Sequence, residues 1–372
     1  MKNSIGILIL LILTLSITAQ NPSVSNLYVG TFTSEGAEGI YLCQFDNSTG
    51  KISLHKVFKG IEDPSFIRLS PDRNFLYAVT RASNDLEKSG GNIQSYRIEP
   101  DGNLVFLNKQ VSNGEGPCHV DISPDGRFAA IATYGSGTVS LYPLNEDGSL
   151  KKASITIHNT GSGAHPTRQT KPHAHSTIFS PDGKQLFSAD LGTDKINIFN
   201  VKDNKIISAG QSYLNLTPGA GPRHFKFHPN GKLMYVINEL NSTITTFSKK
   251  GRKWKTYQTI TTIPVDFTEE NYCADIHVSP DGRYLYGSNR GHNSIAVYTI
   301  NPKSKKLEWV TAVSSQGDWP RNFTLSNDGK FLLAANQRSG NIAVFKINPE
   351  NGIPEFTGYN LELPAPVSLE FQ

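Results

Sequence analysis

The chain has 372 residues and a formal net charge of +4 at pH 7, with basic and acidic residues interspersed. This charge distribution does not predict a nucleic-acid partner. The cysteines, Cys43, Cys118 and Cys273, are odd in number and widely spaced. They fit neither a disulfide framework nor a metal-ligand pattern, so we expect free thiols.

The N-terminus resembles a secretory leader. Met1, Lys2 and Asn3 precede an apolar run over Ile5–Ile17, and small residues follow as far as Ala19. A charged start, a short apolar region and a small residue at the cleavage position are typical of a signal peptide. The run is too short to span a membrane as a helix. We therefore expect a signal peptide over residues 1–19, and an exported chain, periplasmic or secreted, over residues 20–372.

A unit of about 50 residues repeats along the rest of the chain, as in repeat architectures. Each unit has a short apolar strand, a turn resembling Ser-Pro-Asp-Gly and a second apolar strand, which together predict a β-hairpin. The turns are anchored at Pro71, Pro124, Pro181, Pro229, Pro280 and Asn327. A third strand follows in most units, at Asn92–Arg97, Thr138–Tyr142, Lys195–Phe199, Ser242–Phe247, Asn293–Thr299 and Asn341–Lys346. With a looser fourth strand, these all-β units predict the blades of a β-propeller.

The two ends of the chain hold the parts of one more unit. Leu27–Phe32 reads as a second strand, Gly39–Phe45 as a third and Ile52–Phe58 as a fourth, but no first strand precedes them. Pro366–Phe371 resembles a first strand with nothing after it. We predict that these termini pair, because ring closure removes exposed strand edges. The expected fold is therefore one domain, a propeller with seven four-stranded blades.

Counting from each anchor identifies residues that should meet at one mouth of the central channel. Six residues before the anchors lie Ser65, Cys118, His175, Arg223, Ala274 and Arg321, with Val367 in the terminal unit. Ten residues after the anchors lie Arg81, Tyr134, Leu191, Glu239, Arg290 and Gln337, with Phe32 in the terminal unit. Since first and second strands are antiparallel, both sets belong to the same face.

This mouth gathers charged and titratable side chains, whereas the opposite face carries generic turns. The candidate catalytic residues are His175, Arg223, Glu239 and Arg290, and the candidate substrate-binding residues are Arg321, His119, His224 and Asp275. Buried charges usually have a partner or a ligand, although a water-filled channel wall is the alternative. Arginines in such a group favour an anionic ligand, and a Glu and a His can transfer protons. No metal-ligand triad or activated Ser or Cys is apparent, so we expect a reaction without metal or other cofactor.

Several motifs resemble the seven-bladed β-propeller lactonase family, which includes propeller-type 6-phosphogluconolactonases and carboxy-muconate cyclases. They are Tyr28-Val-Gly-Thr-Phe-Thr33, Pro172-His-Ala-His175, Gly221-Pro-Arg-His224, Asn238-Glu-Leu240 and Asn289-Arg-Gly-His292. The resemblance covers essentially all of the chain after the leader. In the cyclase branch it implies an active site of one His, two Arg and one Glu. These fall on His175, Arg223, Arg290 and Glu239, the residues already reached by counting.

Three functions remain open at this stage. The first is metal-free hydrolysis of a small anionic sugar lactone, as in 6-phosphogluconolactonases, with Glu239 or His175 as the base. The second is reversible lactonisation of a related unsaturated dicarboxylate by the same residues. The third is a non-catalytic, exported binding module, since one fold supports many functions. We expect a monomer, with no membrane span after removal of the leader.

Overall fold

A computed structural model describes residues 23–81 and 90–372 of the chain. The predicted signal peptide lies outside the described residues. The described residues form seven antiparallel sheets of four strands each, and one 3-10 turn at Thr33–Glu35. The predicted seven-bladed, all-β propeller is therefore confirmed.

The 28 strands follow one another in a regular order. In blades 1 to 3 they are β1 Val24–Thr31, β2 Gly39–Asp46, β3 Ile52–Lys59, β4 Pro64–Leu69, β5 Phe75–Thr80, β6 Asn92–Ile98, β7 Leu104–Val111, β8 Pro117–Ile122, β9 Phe128–Thr133, β10 Thr138–Pro143 and β11 Ile155–His158. In blades 4 to 7 they are β12 Ala174–Phe179, β13 Gln185–Asp190, β14 Lys195–Lys202, β15 Lys205–Asn215, β16 Pro222–Phe227, β17 Leu233–Asn238, β18 Thr243–Lys250, β19 Lys253–Thr261, β20 Tyr272–Val278, β21 Tyr284–Arg290, β22 Ser294–Ile300, β23 Leu307–Ser314, β24 Pro320–Leu325, β25 Phe331–Asn336, β26 Asn341–Ile347 and β27 Pro354–Glu362. The last strand, β28 Pro366–Phe371, returns to blade 1.

The predicted pairing of the two termini closes the ring. Strand β28 pairs with β1 from Leu27 opposite Phe371 to Thr31 opposite Pro366. Blade 1 therefore has the order β28, β1, β2, β3. The innermost strands β28, β4, β8, β12, β16, β20 and β24 each contact the next around the circle. No innermost neighbour is missing at the junction of the termini.

Side-chain hydrogen bonds explain why the anchor sequence forms a tight turn. In blade 3, Ser123 Oγ donates to Asp125 Oδ1 (2.6 Å) and accepts from Phe128 N (3.0 Å). Gly126 supplies the left-handed residue that this turn requires, with φ 71°. In blade 2 a non-glycine residue, Arg73, adopts this conformation, with φ 61°. These turns lie at the face opposite the predicted mouth, here called the turn face.

The third strands start slightly later than predicted in blades 5 and 6. Strand β18 begins at Thr243 rather than Ser242, and β22 at Ser294 rather than Asn293. Ser242 and Asn293 have φ of 53° and 52°. Left-handed residues cannot continue an extended strand, so the turn before each strand extends one residue further.

Apolar side chains pack the blades face to face. Phe187 of blade 4, for example, lies in one buried cluster with Phe225, Val236 and Phe247 of blade 5. A tyrosine hydroxyl also links neighbouring blades: Tyr77 of β5 donates to Gly148 O in blade 3 (2.9 Å). Every blade therefore depends on the next for a complete core, as in other repeat proteins.

A β-bulge occurs at the mouth end of the innermost strands. In blade 4, Ala174 pairs with Asp190 and Ser176 with Ala189, which leaves His175 without a partner in the ladder. The same irregularity leaves one residue unpaired in each of five other blades: Ser65, Cys118, Arg223, Arg321 and Val367. In blade 6 it leaves two residues unpaired, Ala274 and Asp275. A bulge re-aims the extra side chain. The fold therefore places an irregularity in every blade at the mouth of the channel, of one residue in six blades and of two in blade 6.

Candidate active site

Glu239 lies at the centre of the charged group at the channel mouth. It follows directly after β17, where its N–H donates to Gly221 O (2.7 Å). Its carboxylate is buried and contacts three arginines: Arg168 Nη2 lies 2.5 Å from Oε1, and Arg290 Nη2 and Arg223 Nε lie 2.8 and 3.1 Å from Oε2. The contact of Arg223 Nε is an ion pair that lacks hydrogen-bond alignment. The structure thus joins Glu239, Arg223 and Arg290, three of the predicted catalytic residues.

Main-chain carbonyls of blade 6 hold two of these guanidinium groups. Arg290 donates from Nε to Tyr272 O (3.1 Å) and from Nη2 to Cys273 O (3.0 Å). Arg223 donates from Nη1 to Ala274 O (2.5 Å). Because the carbonyls are part of a rigid strand, both arginines are oriented by contacts within the protein.

The arginines keep Glu239 ionised. Burial alone would raise the pKa of this carboxyl, but Arg290, Arg223 and Arg168 outweigh burial and lower the pKa to about 2. Burial and the neighbouring Arg290 lower the pKa of Arg223 to about 10, against the effect of Glu239. At neutral pH the cluster therefore holds a carboxylate between cationic arginines.

Counting from the anchors did not identify Arg168, which lies in the loop between β11 and β12. In the structure, His165 Nδ1 accepts from Arg168 N (3.2 Å), and Arg168 Nη2 reaches Tyr134 Oη (3.2 Å) and Glu239. Loop residues have no fixed position in the repeat, so no signal in the sequence placed Arg168 at the site.

His175 is buried next to the arginine cluster. Its ring contacts those of Tyr134 and His224, with centroids 5.4 Å away in both cases. Its Nδ1 lies 4.0 Å from Cys118 Sγ. Burial, and then the positive charge of Arg223, lowers the pKa of His175 well below its usual value of 6.5. The imidazole is therefore neutral at neutral pH.

Two further arginines increase the positive charge of the mouth. Arg321 and Arg81 both lie over the ring of Phe32, with Cζ 5.2 and 5.0 Å from its centroid. Within residues 23–81 and 90–372, no carboxylate forms an ion pair with either arginine. Burial, and then the charges of Arg223 and Arg290, lowers the pKa of Arg321 well below its usual range. Repulsion of this kind is relieved by an anionic ligand.

His119, His224 and Asp275 belong to a hydrogen-bonded layer in the channel. Asp275 Oδ1 lies 2.8 Å from His224 Nδ1, and Oδ2 accepts from Asn322 Nδ2 (2.5 Å) and lies 3.1 Å from His277 Nε2. Burial would raise the pKa of Asp275, but His277 and His224 hold it well below its usual value. The ring of His119 is stacked on that of Phe66 at 4.2 Å. Asp275 therefore has protein partners on both carboxylate oxygens.

A cavity of about 370 Å³ lies at the turn-face end of the channel. Its lining includes Phe66, Arg68, His119, Asp121 and Lys226. Glu239 and the arginines around it are not part of this lining. Among the predicted site residues only His119 reaches it, so the charged cluster and this cavity belong to different parts of the channel.

Within the described part of the chain, no group of three or more His, Cys, Asp or Glu side chains is arranged to hold a metal ion. The three cysteines are all buried and unbridged. No helix among the described residues is long and apolar enough to cross a membrane.

Comparisons with known proteins agree with this architecture. The family description "Lactonase, 7-bladed beta-propeller" matches residues 26–371. The 6-phosphogluconolactonase of Bacillus subtilis is 35% identical over 347 residues, which cover 92% of this chain and 97% of that protein. A protein of the same name from Formosa agariphila is 35% identical over 307 residues, 80% of this chain and 86% of that one.

The fold also matches solved structures over nearly its whole length. The periplasmic gluconolactonase PpgL of Pseudomonas aeruginosa superposes with a TM-score of 0.88 and 31% sequence identity. The match covers 94% of this chain and 99% of that one. With its seven blades and this match from one terminal strand to the other, the chain belongs to the seven-bladed β-propeller lactonase family.

Proposed function

We propose that the protein is an exported lactonase that hydrolyses an anionic sugar lactone at the channel mouth. The observation that carries this proposal is the excess of positive charge there. Arg168, Arg223 and Arg290 contact one carboxylate, that of Glu239, and the positive charges of Arg321 and Arg81 act on the same region without an ion pair. Guanidinium groups suit carboxylate and phosphate oxygens and also an oxyanion that forms during ester hydrolysis.

The names of the relatives support a proposal for the lactone and for the location of the protein. Proteins named 6-phosphogluconolactonase and periplasmic gluconolactonase are similar to this chain over most of its length. The leader predicted at residues 1–19 supports export, and the name of the Pseudomonas protein fits that location. We therefore propose a gluconolactone, with or without a 6-phosphate, as the substrate class.

Hydrolysis requires a water molecule to attack the carbonyl carbon of the lactone. In our proposal His175 accepts a proton from this water as the new C–O bond forms. The carbonyl oxygen becomes an oxyanion, which Arg223 and Arg290 stabilise from their fixed positions. The ring C–O bond then breaks, and the leaving alkoxide takes the proton back from His175. The product is the open-chain hydroxy acid, and no step requires a metal.

The contacts of Glu239 favour His175 as the base. Both oxygens of Glu239 are occupied by arginines, which leaves neither of them free to accept a proton from the attacking water. His175 is neutral, buried and beside Arg223. We therefore assign Glu239 the role of holding Arg168, Arg223 and Arg290 in position.

The test is a kinetic assay of purified protein on gluconolactone, its 6-phosphate and a carboxy-muconate. We expect hydrolysis of at least one gluconolactone, with kcat about 10²-fold or more lower in His175→Gln, since a positioned base contributes about 10²- to 10⁴-fold. His55→Gln is the matched control, because His55 is exposed on the outer strand β3. Conversion of the muconate alone would indicate a cyclase. No turnover of any of the three would indicate a binding module.

A further inference from the structure

Trp319 has an unfavourable backbone conformation at the edge of the candidate site. It directly precedes Pro320, the first residue of β24, and has φ 67°. Left-handed conformations cost energy for residues with a bulky side chain, and a following proline restricts the backbone further.

A positive φ recurs at the residue before the first-strand proline in other blades. In blades 3 and 5 this residue is Gly116 and Gly221, with φ of 62° and 64°. In blades 2 and 1 it is Asp63 and Ala365, with φ of 38° and 42°. Glycine adopts this conformation without strain. Blade 7 places the largest of these side chains, a tryptophan, at the position.

Hydrogen bonds on both sides hold Trp319 in this conformation. Its N–H donates to Asn293 Oδ1 (2.9 Å), and its carbonyl accepts from Gln337 N (3.0 Å). The preceding residue, Asp318, accepts from Asn293 Nδ2 through its Oδ1 (2.8 Å), and its N–H donates to Ser339 Oγ (2.8 Å). The surrounding loops therefore fix a conformation that the residue itself does not favour.

The indole ring contacts two arginines. Arg290 Cζ lies 5.3 Å from the ring centroid, and Arg338 Cζ lies 3.4 Å from it. Arg290 also contacts Glu239, so its guanidinium group lies between the indole ring and the carboxylate at the centre of the site. Arg338 is exposed and makes no ion pair with any carboxylate in the two described ranges. Cation–π contacts of this kind hold a guanidinium in place without neutralising its charge.

We propose that Trp319 is a positioning residue, held in a strained conformation so that its indole fixes Arg290 for catalysis and presents Arg338 to an anionic group of the substrate. This inference rests on the proposed lactonase function and extends it. Arg290 acts near the reacting carbonyl, whereas Arg338 lies at the rim. The ligand is therefore a lactone that carries a second, negatively charged group outside its ring, such as a phosphate.

The kinetic test compares Trp319→Ala, Trp319→Phe and Arg338→Ala on gluconolactone and its 6-phosphate. Trp319→Ala should lower kcat on both lactones by about 10- to 100-fold, because small displacements of a catalytic group have effects of this size. Trp319→Phe keeps an aromatic face and should recover most of the loss. Arg338→Ala should raise KM for the 6-phosphate by up to about fivefold, as for an exposed charge pair, and more than for gluconolactone. Trp309→Phe, on the outer strand β23, is the control.

Two measurements do not depend on turnover. If the backbone is strained, Trp319→Gly should melt at a higher temperature than Trp319→Ala, the reverse of the usual order. Calorimetry should show that 6-phosphogluconate binds more weakly to Arg338→Ala than to the unmodified protein. A wild-type protein that hydrolyses neither lactone overturns the proposed function, and these two measurements still decide the inference. Full kcat in Trp319→Ala, a lower melting temperature for the glycine variant or unchanged 6-phosphogluconate affinity in Arg338→Ala would each overturn it.

Discussion

Arg168 Nη2 lies 2.5 Å from Glu239 Oε1, although the two residues are separated by 71 positions in the sequence. The contact joins the loop between blades 3 and 4 to the end of strand β17 in blade 5. It completes the ring of three arginines around a buried carboxylate. A charged residue outside the repeat pattern thereby becomes part of the candidate site.

Replacement of Glu239 by Gln should separate its positioning role from a role as base. The amide keeps the shape of the side chain but leaves Arg168, Arg223 and Arg290 without their counter-charge. We expect kcat to fall, because the guanidinium groups repel one another and shift, but to fall less than in His175→Gln, which loses the base. Steady-state kinetics of the two variants at neutral pH provide the measurement. A larger loss of kcat in Glu239→Gln than in His175→Gln would contradict our assignment of His175.

Arg168→Ala should have a smaller effect than the loss of either inner arginine. Arg168 is partly exposed and sits in a loop, whereas Arg223 and Arg290 are buried and bound to main-chain carbonyls. We expect Arg223→Ala and Arg290→Ala to lower kcat on charged and neutral lactones alike, by about 10²-fold or more if each stabilises the oxyanion. Should only KM for the charged lactone rise, these arginines bind the anionic group and do not stabilise the oxyanion.

Stability should decrease as the pH falls below neutrality. Burial lowers the pKa of His119 and His175, and brings that of His224 to about 4, compared with 6.5 for an exposed histidine. The unfolded chain therefore binds more protons than the folded one in the window from about pH 6.5 down to about pH 4. By linkage the free energy of unfolding falls across this window, by up to about 3 kcal/mol for a group shifted as far as His224.

Urea denaturation at intervals from pH 7.5 to pH 4.5 measures this slope. Asp121 and Asp190 have the opposite effect on the free energy of unfolding, because burial raises their pKa values. Their usual pKa of 3.8 is lower than that of histidine. Constant stability between pH 7 and pH 5 would show that the histidines are not buried in the neutral form.

Chelation should leave the lactonase activity intact. This expectation rests on the proposed chemistry, in which arginines stabilise the oxyanion and His175 moves the proton. The protein is dialysed against EDTA and assayed before and after addition of Ca²⁺, Mg²⁺ or Zn²⁺. Activity that disappears on chelation and returns with one of these ions would contradict the metal-free mechanism.

Gly30→Ala should weaken the closure of the ring. Gly30 lies in β1, opposite the terminal strand β28, and an added Cβ would lie 2.5 Å from Pro64 O and 3.2 Å from Ser368 Cβ. We expect a loss of about 1–3 kcal/mol of stability, as for other overpacked sites. Gly210→Ala is the matched control, because no atom lies within 4 Å of its added Cβ. Equal melting temperatures for the two variants would show that the closure tolerates the extra methyl group.

The sequence alone determined the number of blades, the closure of the ring and the positions that meet at the mouth. The physical reason is periodicity. Each repeat places its equivalent strands at the same distance from the propeller axis, so a count from Pro181 or Pro229 locates His175, Arg223 and Glu239. The leader and the roles of these residues remain predictions. The hairpin turns were also predictable, because Ser, Asp and Gly form them through contacts local to the turn.

Only the tertiary structure decided which charges neutralise one another. Arg168 reaches Glu239 from a loop whose length and path are not set by the repeat. The partners of Asp275 come from three different strands, through His224, His277 and Asn322. Contacts between residues far apart in sequence depend on how blades pack around the axis, and the backbone conformation of Trp319 depends on hydrogen bonds from neighbouring loops. A single sequence does not encode these distances in any local pattern, whereas strand periodicity and turn chemistry are local.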